Sequence, residues 1–321
     1  MMEQKVSIIA VFPGQGSQVV GMGKDYYEAS QICRDTFDEA DRALGTRLSR
    51  LIFEGPQDQL TQTENAQPAL LTVSIAIYRW FKETFNIAIV TSCGHSLGEY
   101  SALVATGVLS FGDALQIVRA RGQYMQKAVP LGQGTMAAIL GLDDNVVEKI
   151  CREITGQGLV VETANYNCPG QLVISGTTEG VFKASEDCKK AGAIRVIPLE
   201  VSAPFHSSMM NPSGDQLKSF MQEFVFNDPS PPYVANVSAD FVETSERVAE
   251  LLAMQVSKPV LWAQSLGKIL NRFKVAPIVE FGPGKVIAGH LKKIDKTRRV
   301  LTTQKFADQM VYEKFFEADN V

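Results

Sequence analysis

The chain has 321 residues, 31 Lys and Arg against 35 Asp and Glu for a net charge of -4, and 45% hydrophobic and 21% charged residues. This is the composition of a soluble globular chain, long enough for one large domain or a large domain with an insert, and it carries none of the basic excess of a nucleic-acid binder. No apolar run approaches the roughly 20 residues that span a bilayer, and five cysteines (Cys33, Cys93, Cys151, Cys168, Cys188) without a Cys-x-x-Cys pair point to buried thiols in a cytoplasmic, reducing setting.

Taken in chain order, the apolar run Val6–Phe12 reads as a first strand rather than a signal peptide, since no small-residue cleavage pattern follows it. It stops at Pro13-Gly14-Gln15-Gly16. Residues 31–44 and 70–84 read as amphipathic helices, and 86–93 as a buried strand. Residues 97–106 then read as a helix, so Gly94-His95-Ser96-Leu97-Gly98 falls on a strand-to-helix turn. A bare Gly-x-Ser-x-Gly is common by chance. In that context it has the form of a nucleophile elbow, in which a sharp turn lifts a serine hydroxyl out of the sheet beside free helix N–H groups.

Residues 111–129 read as a helix that ends at Pro130. The texture then changes. Strands at 135–140, 159–164, 171–176 and 194–199, with helices at 143–154 and 177–191, give the order β-α-β-β-α-β of a ferredoxin-like unit. The expected architecture is therefore α/β, with a large domain over 1–131 and 200–321 and a small subdomain over 132–199. In the resumed large domain, 206–222 and 244–255 read as helices, and 232–236 and 278–281 as strands. The tail 306–321 has no reading. Asn236-Val237-Ser238 matches a glycosylation sequon, which carries no weight in a cytoplasmic protein.

A serine hydroxyl needs a base within hydrogen-bond reach. The chain has three histidines, His95, His206 and His290. His95 adjoins the serine and should point away from it. His290 lies in a helical pattern, where a packed or solvated side chain is the plain reading. By elimination His206, in a Pro-bounded loop at a strand's end, is the candidate base, because open α/β sheets carry their sites at those ends. No Asp or Glu stands out as a third member, and a backbone or amide oxygen would serve as the imidazole's acceptor. The backbone N–H groups of Leu97 and Gln15 are the natural oxyanion donors. Gly14-x-Gly16 fails as a dinucleotide loop because Val19 holds the last glycine position, and Gly282-Pro283-Gly284-Lys285-Val286 lacks the spacing of a phosphate loop. No metal-ligand spacing is present. Arg119 and Arg121 could be surface-paired or could clamp a substrate carboxylate.

Together these pieces resemble the malonyl-CoA:acyl carrier protein transacylase family and the related acyltransferases of polyketide synthases. The likeness runs from Phe12 to about Leu301. It rests on Phe12 to Gln18, Gln67-Pro68-Ala69-Leu70, Gly94 to Glu99, Arg119-Ala120-Arg121-Gly122, Asn165 to Gln171, Phe205-His206, Gln255 with Pro259 and Trp262, and Gly282-Pro283-Gly284. The resemblance implies an α/β-hydrolase-like large domain with an inserted ferredoxin-like subdomain. It implies Ser96 as the acylated nucleophile, His206 as base and Gln255 as the residue whose carbonyl orients it. Gln15 and Leu97 become the oxyanion donors, and Arg121 the ligand of a malonyl carboxylate. The partners implied are malonyl-CoA and an acyl carrier protein, with the CoA thioester a substrate and no cofactor.

Related enzymes select malonyl with His-Ala-Phe-His and methylmalonyl with Tyr-Ala-Ser-His. Here Ala203-Pro204-Phe205-His206 keeps the bulky Phe205, and Leu97 replaces the Gln of many methylmalonyl enzymes. Both favour malonyl, and Phe205 leans toward polyketide rather than fatty-acid synthesis. The alternatives are a hydrolase that clears acyl groups from carrier proteins, which would need no Arg121, and an inactive module that only docks a carrier. The basic run Lys292 to Arg299 reads as a solvated helix end.

Overall fold

Strand β1 (Val6–Phe12) sends alternate side chains to two cores, as a central strand must. Ile8, Ala10 and Phe12 enter the larger one, while Ile9 and Val11 enter the other. This computed structural model describes residues 5–130, 132–201 and 203–317. Leu131, at the expected boundary of the insert, Ser202, in the loop before His206, and residues 318–321 of the tail lie outside the described residues.

Around β1 lies a six-stranded sheet made with β2 (Ile87–Gly94), β7 (Tyr233–Val234), β8 (Phe241–Val242), β9 (Ile278–Glu280) and β10 (Val300–Thr302), in the order β10-β9-β1-β2-β7-β8. All neighbours run parallel except β7 and β8. The parallel strands therefore end on one side, and the loops after β1, β2 and β7 meet there.

Between the helix Phe111–Lys127 and the return to this sheet lie β3 (Gly134–Leu140), β4 (Val161–Cys168), β5 (Gln171–Thr177) and β6 (Arg195–Pro198). They form an antiparallel sheet in the order β4-β5-β3-β6, with helices Asp144–Thr155 and Thr178–Lys190 as crossovers. That order is the ferredoxin-like one. The insert has its own core, centred on Ile139, Val147, Leu172, Ile174 and Val181. It is stitched to the loop before the helix Trp262–Arg272, where Val260 bridges β4: Tyr166 N donates to Val260 O (3.0 Å) and Val260 N to Ala164 O (2.8 Å). β4 continues through Asn165 to Cys168, beyond the strand expected over 159–164, because it stays paired with β5 as far as Cys168 and Gln171.

The helix expected over 70–84 begins seven residues earlier, as Thr63–Thr84, and runs through Pro68. Tertiary packing holds that first turn. Gly122 lies so close that a Cβ there would sit 2.6 Å from Glu64 Cα, and Arg119 Nη1 donates to Asn65 Oδ1 at 2.7 Å. Arg119 is thus paired within the fold. The turn Gly282-Pro283-Gly284 leads from β9 to the helix Val286–Ile294, whose N-terminal amides of Ile287 and Ala288 are capped by the buried Glu280 carboxylate. Arg298, in the basic run, is no free cation: Nη2 donates to Leu270 O and Nη1 to Phe273 O. All five cysteines are buried free thiols. No helix among the described residues is long and apolar enough to cross a membrane.

The tail forms the helix Gln309–Glu317. Tyr312 and Phe316 are buried against Phe81 and Phe85, with ring centroids 4.9 Å apart for Phe81 and Tyr312 and 5.1 Å for Phe85 and Phe316. Phe316→Ala should lower the unfolding free energy by about 3 kcal/mol, measured in urea, through lost burial and the cavity left behind. The reactivity of the distant Ser96 should be unchanged.

Candidate active site

Ser96 stands at the tip of the turn from β2 into the helix Gly98–Ala105, with φ of +49°. Left-handed backbone at a non-glycine costs about 1–3 kcal/mol and persists only where the surroundings impose it. Here they do. A Cβ on Gly94 would overlap Gly98 O, and one on Gly98 would overlap Phe12 O, so both flanking glycines are required by close backbone approach. Asn236, directly after β7, locks the same turn: Oδ1 accepts from Ser96 N (2.7 Å) and Nδ2 donates to Gly94 O (2.8 Å). The sequon asparagine is fully buried and is part of the site's scaffold.

His206 also has a positive φ, +60°. Its Nε2 lies 2.8 Å from Ser96 Oγ, and its Nδ1 lies 2.7 Å from Gln255 O and 3.2 Å from Lys258 O. Two carbonyl oxygens can only accept, so Nδ1 carries the proton and Nε2 is left as the acceptor for the serine O–H. Burial, and then the charge of Arg121, push the His206 pKa down to about 3. The imidazole is neutral and competent as a base at physiological pH.

Arg121 is 1% exposed. Its Nη2 donates to Ser96 Oγ (3.1 Å) and to Gln255 Oε1 (2.9 Å), and its guanidinium lies over the Tyr100 ring. The other side of the Gln255 amide donates to Glu99 Oε2 (2.7 Å) and Ser96 O (2.9 Å). Glu99 also accepts from Asn236 N, and burial raises its carboxyl to about 7. Gln255 thus fixes His206 through its backbone, and the Ser96 turn and Arg121 through its side chain. Sequence reasoning assigned no role to Asn236 or Glu99; Glu99 was visible only as the last residue of the elbow motif.

His95 points away from the serine. Its Nε2 bonds Asn167 Oδ1 on β4 (2.8 Å), and its ring packs edge-on to Trp262. His290 is packed, not solvated. Gln15 lies in the turn after β1. The amides of Gly98 and Glu99 are taken by His95 O and Ser96 O, whereas those of Gln15 and Leu97 bond no acceptor among the described residues. The Leu97 side chain goes into the core rather than the cavity, so its identity bears on acyl choice only indirectly. A cavity of about 470 Å³ opens over Ser96, with Gln15, Arg121, Phe205 and His206 from the large domain and Met136 and Leu199 from the small one in its walls. No cluster of residues able to hold a metal ion occurs among the described residues.

The sequence profile of the acyl transferase domain family matches residues 9–293. The chain is 49% identical over 294 residues, 92% of both chains, to the malonyl CoA-acyl carrier protein transacylase of Bacillus subtilis strain 168. It is 45% identical to that of Escherichia coli K12, over 89% of this chain and 92% of the other. Among solved structures, an acyl carrier protein S-malonyltransferase from Vibrio cholerae superposes with a TM-score of 0.92 at 41% identity, covering 95% of this chain and 99% of the other. A malonyl-transacylase in complex with a type II polyketide synthase acyl-carrier protein superposes with a TM-score of 0.91 at 39% identity, covering 95% and 98%.

A histidine with a depressed folded-state pKa stays unprotonated until the pH falls well below its ordinary 6.5. In a ¹⁵N-histidine spectrum, His206 should hold its neutral, Nδ1-protonated signature between about pH 5 and 8. A titration midpoint near 6.5 would contradict the buried pairing described above.

Proposed function

The chain belongs to the acyl transferase domain family, and we propose that it moves a malonyl group from malonyl-CoA to the phosphopantetheine thiol of an acyl carrier protein through a malonyl-Ser96 intermediate. The observation that carries this reading is the buried Arg121 guanidinium 3.1 Å from Ser96 Oγ. Once Ser96 is acylated, the malonyl carboxylate carbon lies three bonds from Oγ, within reach of a cation so close to that oxygen. A buried cation beside a nucleophile suits an acyl group that ends in an anion. A hydrolase of monocarboxylic acyl groups has no use for it.

His206 Nε2 takes the Ser96 proton as Oγ attacks the thioester carbon. The negative charge that develops on the carbonyl oxygen is received by the Gln15 and Leu97 amides. As the C–S bond breaks, the imidazolium returns the proton to the CoA sulfur. The carrier's thiol then gives its proton to His206 and attacks the malonyl ester, and Oγ leaves with that proton. Gln255 O holds the imidazole through Nδ1 in both halves, and Arg121 holds the malonyl carboxylate. The thioester is a substrate, and the scheme needs no resident cofactor.

Phe205, in the cavity wall, supports malonyl over methylmalonyl by filling space an extra methyl would need. The buried free thiols and the CoA substrate support a cytoplasmic location. We read 132–199 as a small subdomain that walls the cavity, and 1–131 with 200–321 as the catalytic domain.

Incubation with radiolabelled malonyl-CoA should label the protein, and Ser96→Ala should abolish the label. Arg121→Ala should lower kcat/KM for malonyl-CoA about a hundredfold, the loss expected of a hydrogen-bonded charge pair. Acetyl-CoA, which lacks the carboxylate, should lose less, so that the malonyl-to-acetyl ratio falls. Label retained in the serine variant would exclude Ser96 as the nucleophile.

A further inference from the structure

We infer that Gln67 is a second, uncharged donor to the terminal carboxylate of the acyl group, and so a specificity-determining residue; this rests on the malonyl reading above. Gln67 lies near the start of the helix Thr63–Thr84, is 1% exposed, and lines the same cavity as Ser96 and Arg121. Its Nε2 has only the Met125 sulfur, at 3.8 Å, and its Oε1 has no partner among the described residues. The other buried amides of the site are well bonded: Gln255 and Asn236 each use both ends of their carboxamides. A buried carboxamide left in this state is costly, and thioether sulfur is a weak acceptor. Its N–H groups therefore lose little in turning to a better one.

The position indicates which acceptor. Met125 lies one turn beyond Arg121 on the helix Phe111–Lys127, so the two share a face. The Gln67 amide, against Met125, is thus beside the wall that carries the guanidinium. Arg121 Nε is itself without a partner among the described residues. A carboxylate is acceptor-only, with about four lone-pair sites, and one arginine does not use them all. A neutral amide adds a donor without burying a second positive charge next to His206, where it would carry its own desolvation cost.

The test compares single-turnover acylation of Ser96 by radiolabelled malonyl-CoA and acetyl-CoA in wild type, Gln67→Met and Gln67→Glu. Met keeps the length and removes the amide. Its kcat/KM for malonyl-CoA should fall roughly tenfold to a hundredfold, as for loss of a hydrogen bond to a charged group, with acetyl-CoA nearly unchanged. Glu should lower malonyl further through like-charge repulsion and again spare acetyl. Equal losses for both substrates, or an unchanged malonyl-to-acetyl ratio, would assign Gln67 to packing and overturn the proposal. If the Met variant fails to fold by thermal melting, the ratio in the near-isosteric Glu variant decides. Wild type that takes no malonyl from malonyl-CoA would instead overturn the functional reading on which the proposal stands.

Discussion

The carboxamide of Gln255 is held between a buried guanidinium and a buried carboxyl group, and the rest of the site depends on that placement. Arg121 donates to its oxygen and its nitrogen donates to Glu99, so the amide has one electrostatically sensible orientation. In that orientation the nitrogen also reaches the Ser96 carbonyl, and the backbone oxygen of the same residue receives His206 Nδ1. The Ser96 turn, His206 and Arg121 are thereby referred to one residue. Without these partners, the guanidinium and the carboxyl group would both be very costly to bury. With a polarisable amide between them, both stay inside without cancelling each other in direct contact, and the guanidinium keeps a free edge for an anion.

Using a backbone carbonyl to orient His206 has a chemical consequence. An aspartate at that position would favour the imidazolium and raise the pKa. A neutral carbonyl fixes the same tautomer without adding charge, so burial and Arg121 dominate and the imidazole stays neutral. His206 is therefore unprotonated throughout the neutral range. In the proposed mechanism the imidazolium is correspondingly acidic, which suits a proton that must be handed promptly to a departing thiolate.

Local chemistry made much of this legible from sequence. Val6–Phe12, Gln31–Leu44 and the strand-turn-helix around Ser96 follow from side-chain periodicity and glycine placement, which act within a few residues. The β-α-β-β-α-β order between β3 and β6 was legible for the same reason. What escaped depends on contacts far apart in the chain. Pro68 argues against a helix until the close approach of Gly122 supplies the packing that overrides it. Asn236 reads as an ordinary sequon, because nothing within ten residues of it reveals the elbow it braces 140 positions away. Arg121 could not be told from Arg119 by pattern, since two residues on one helix diverge only when their neighbours are known.

The two sheets divide the work unevenly. The large sheet supplies Ser96 from the end of β2, the helix Phe111–Lys127 supplies Arg121 and the loop after β6 supplies His206, while Met136 and Leu199 of the insert serve as wall. The His95–Asn167 bond and the Val260 pairing join the halves beside the nucleophile, and not through it. A wall held that way can change shape without moving Ser96. Phe205 is the exception. It precedes His206 on a strained turn, so a smaller residue there would both widen the acyl pocket and loosen the turn that aims the imidazole. On the proposed reading, acyl choice and catalytic rate are coupled at this one position, and enlarging the pocket from the Met136 side is the route that leaves His206 undisturbed.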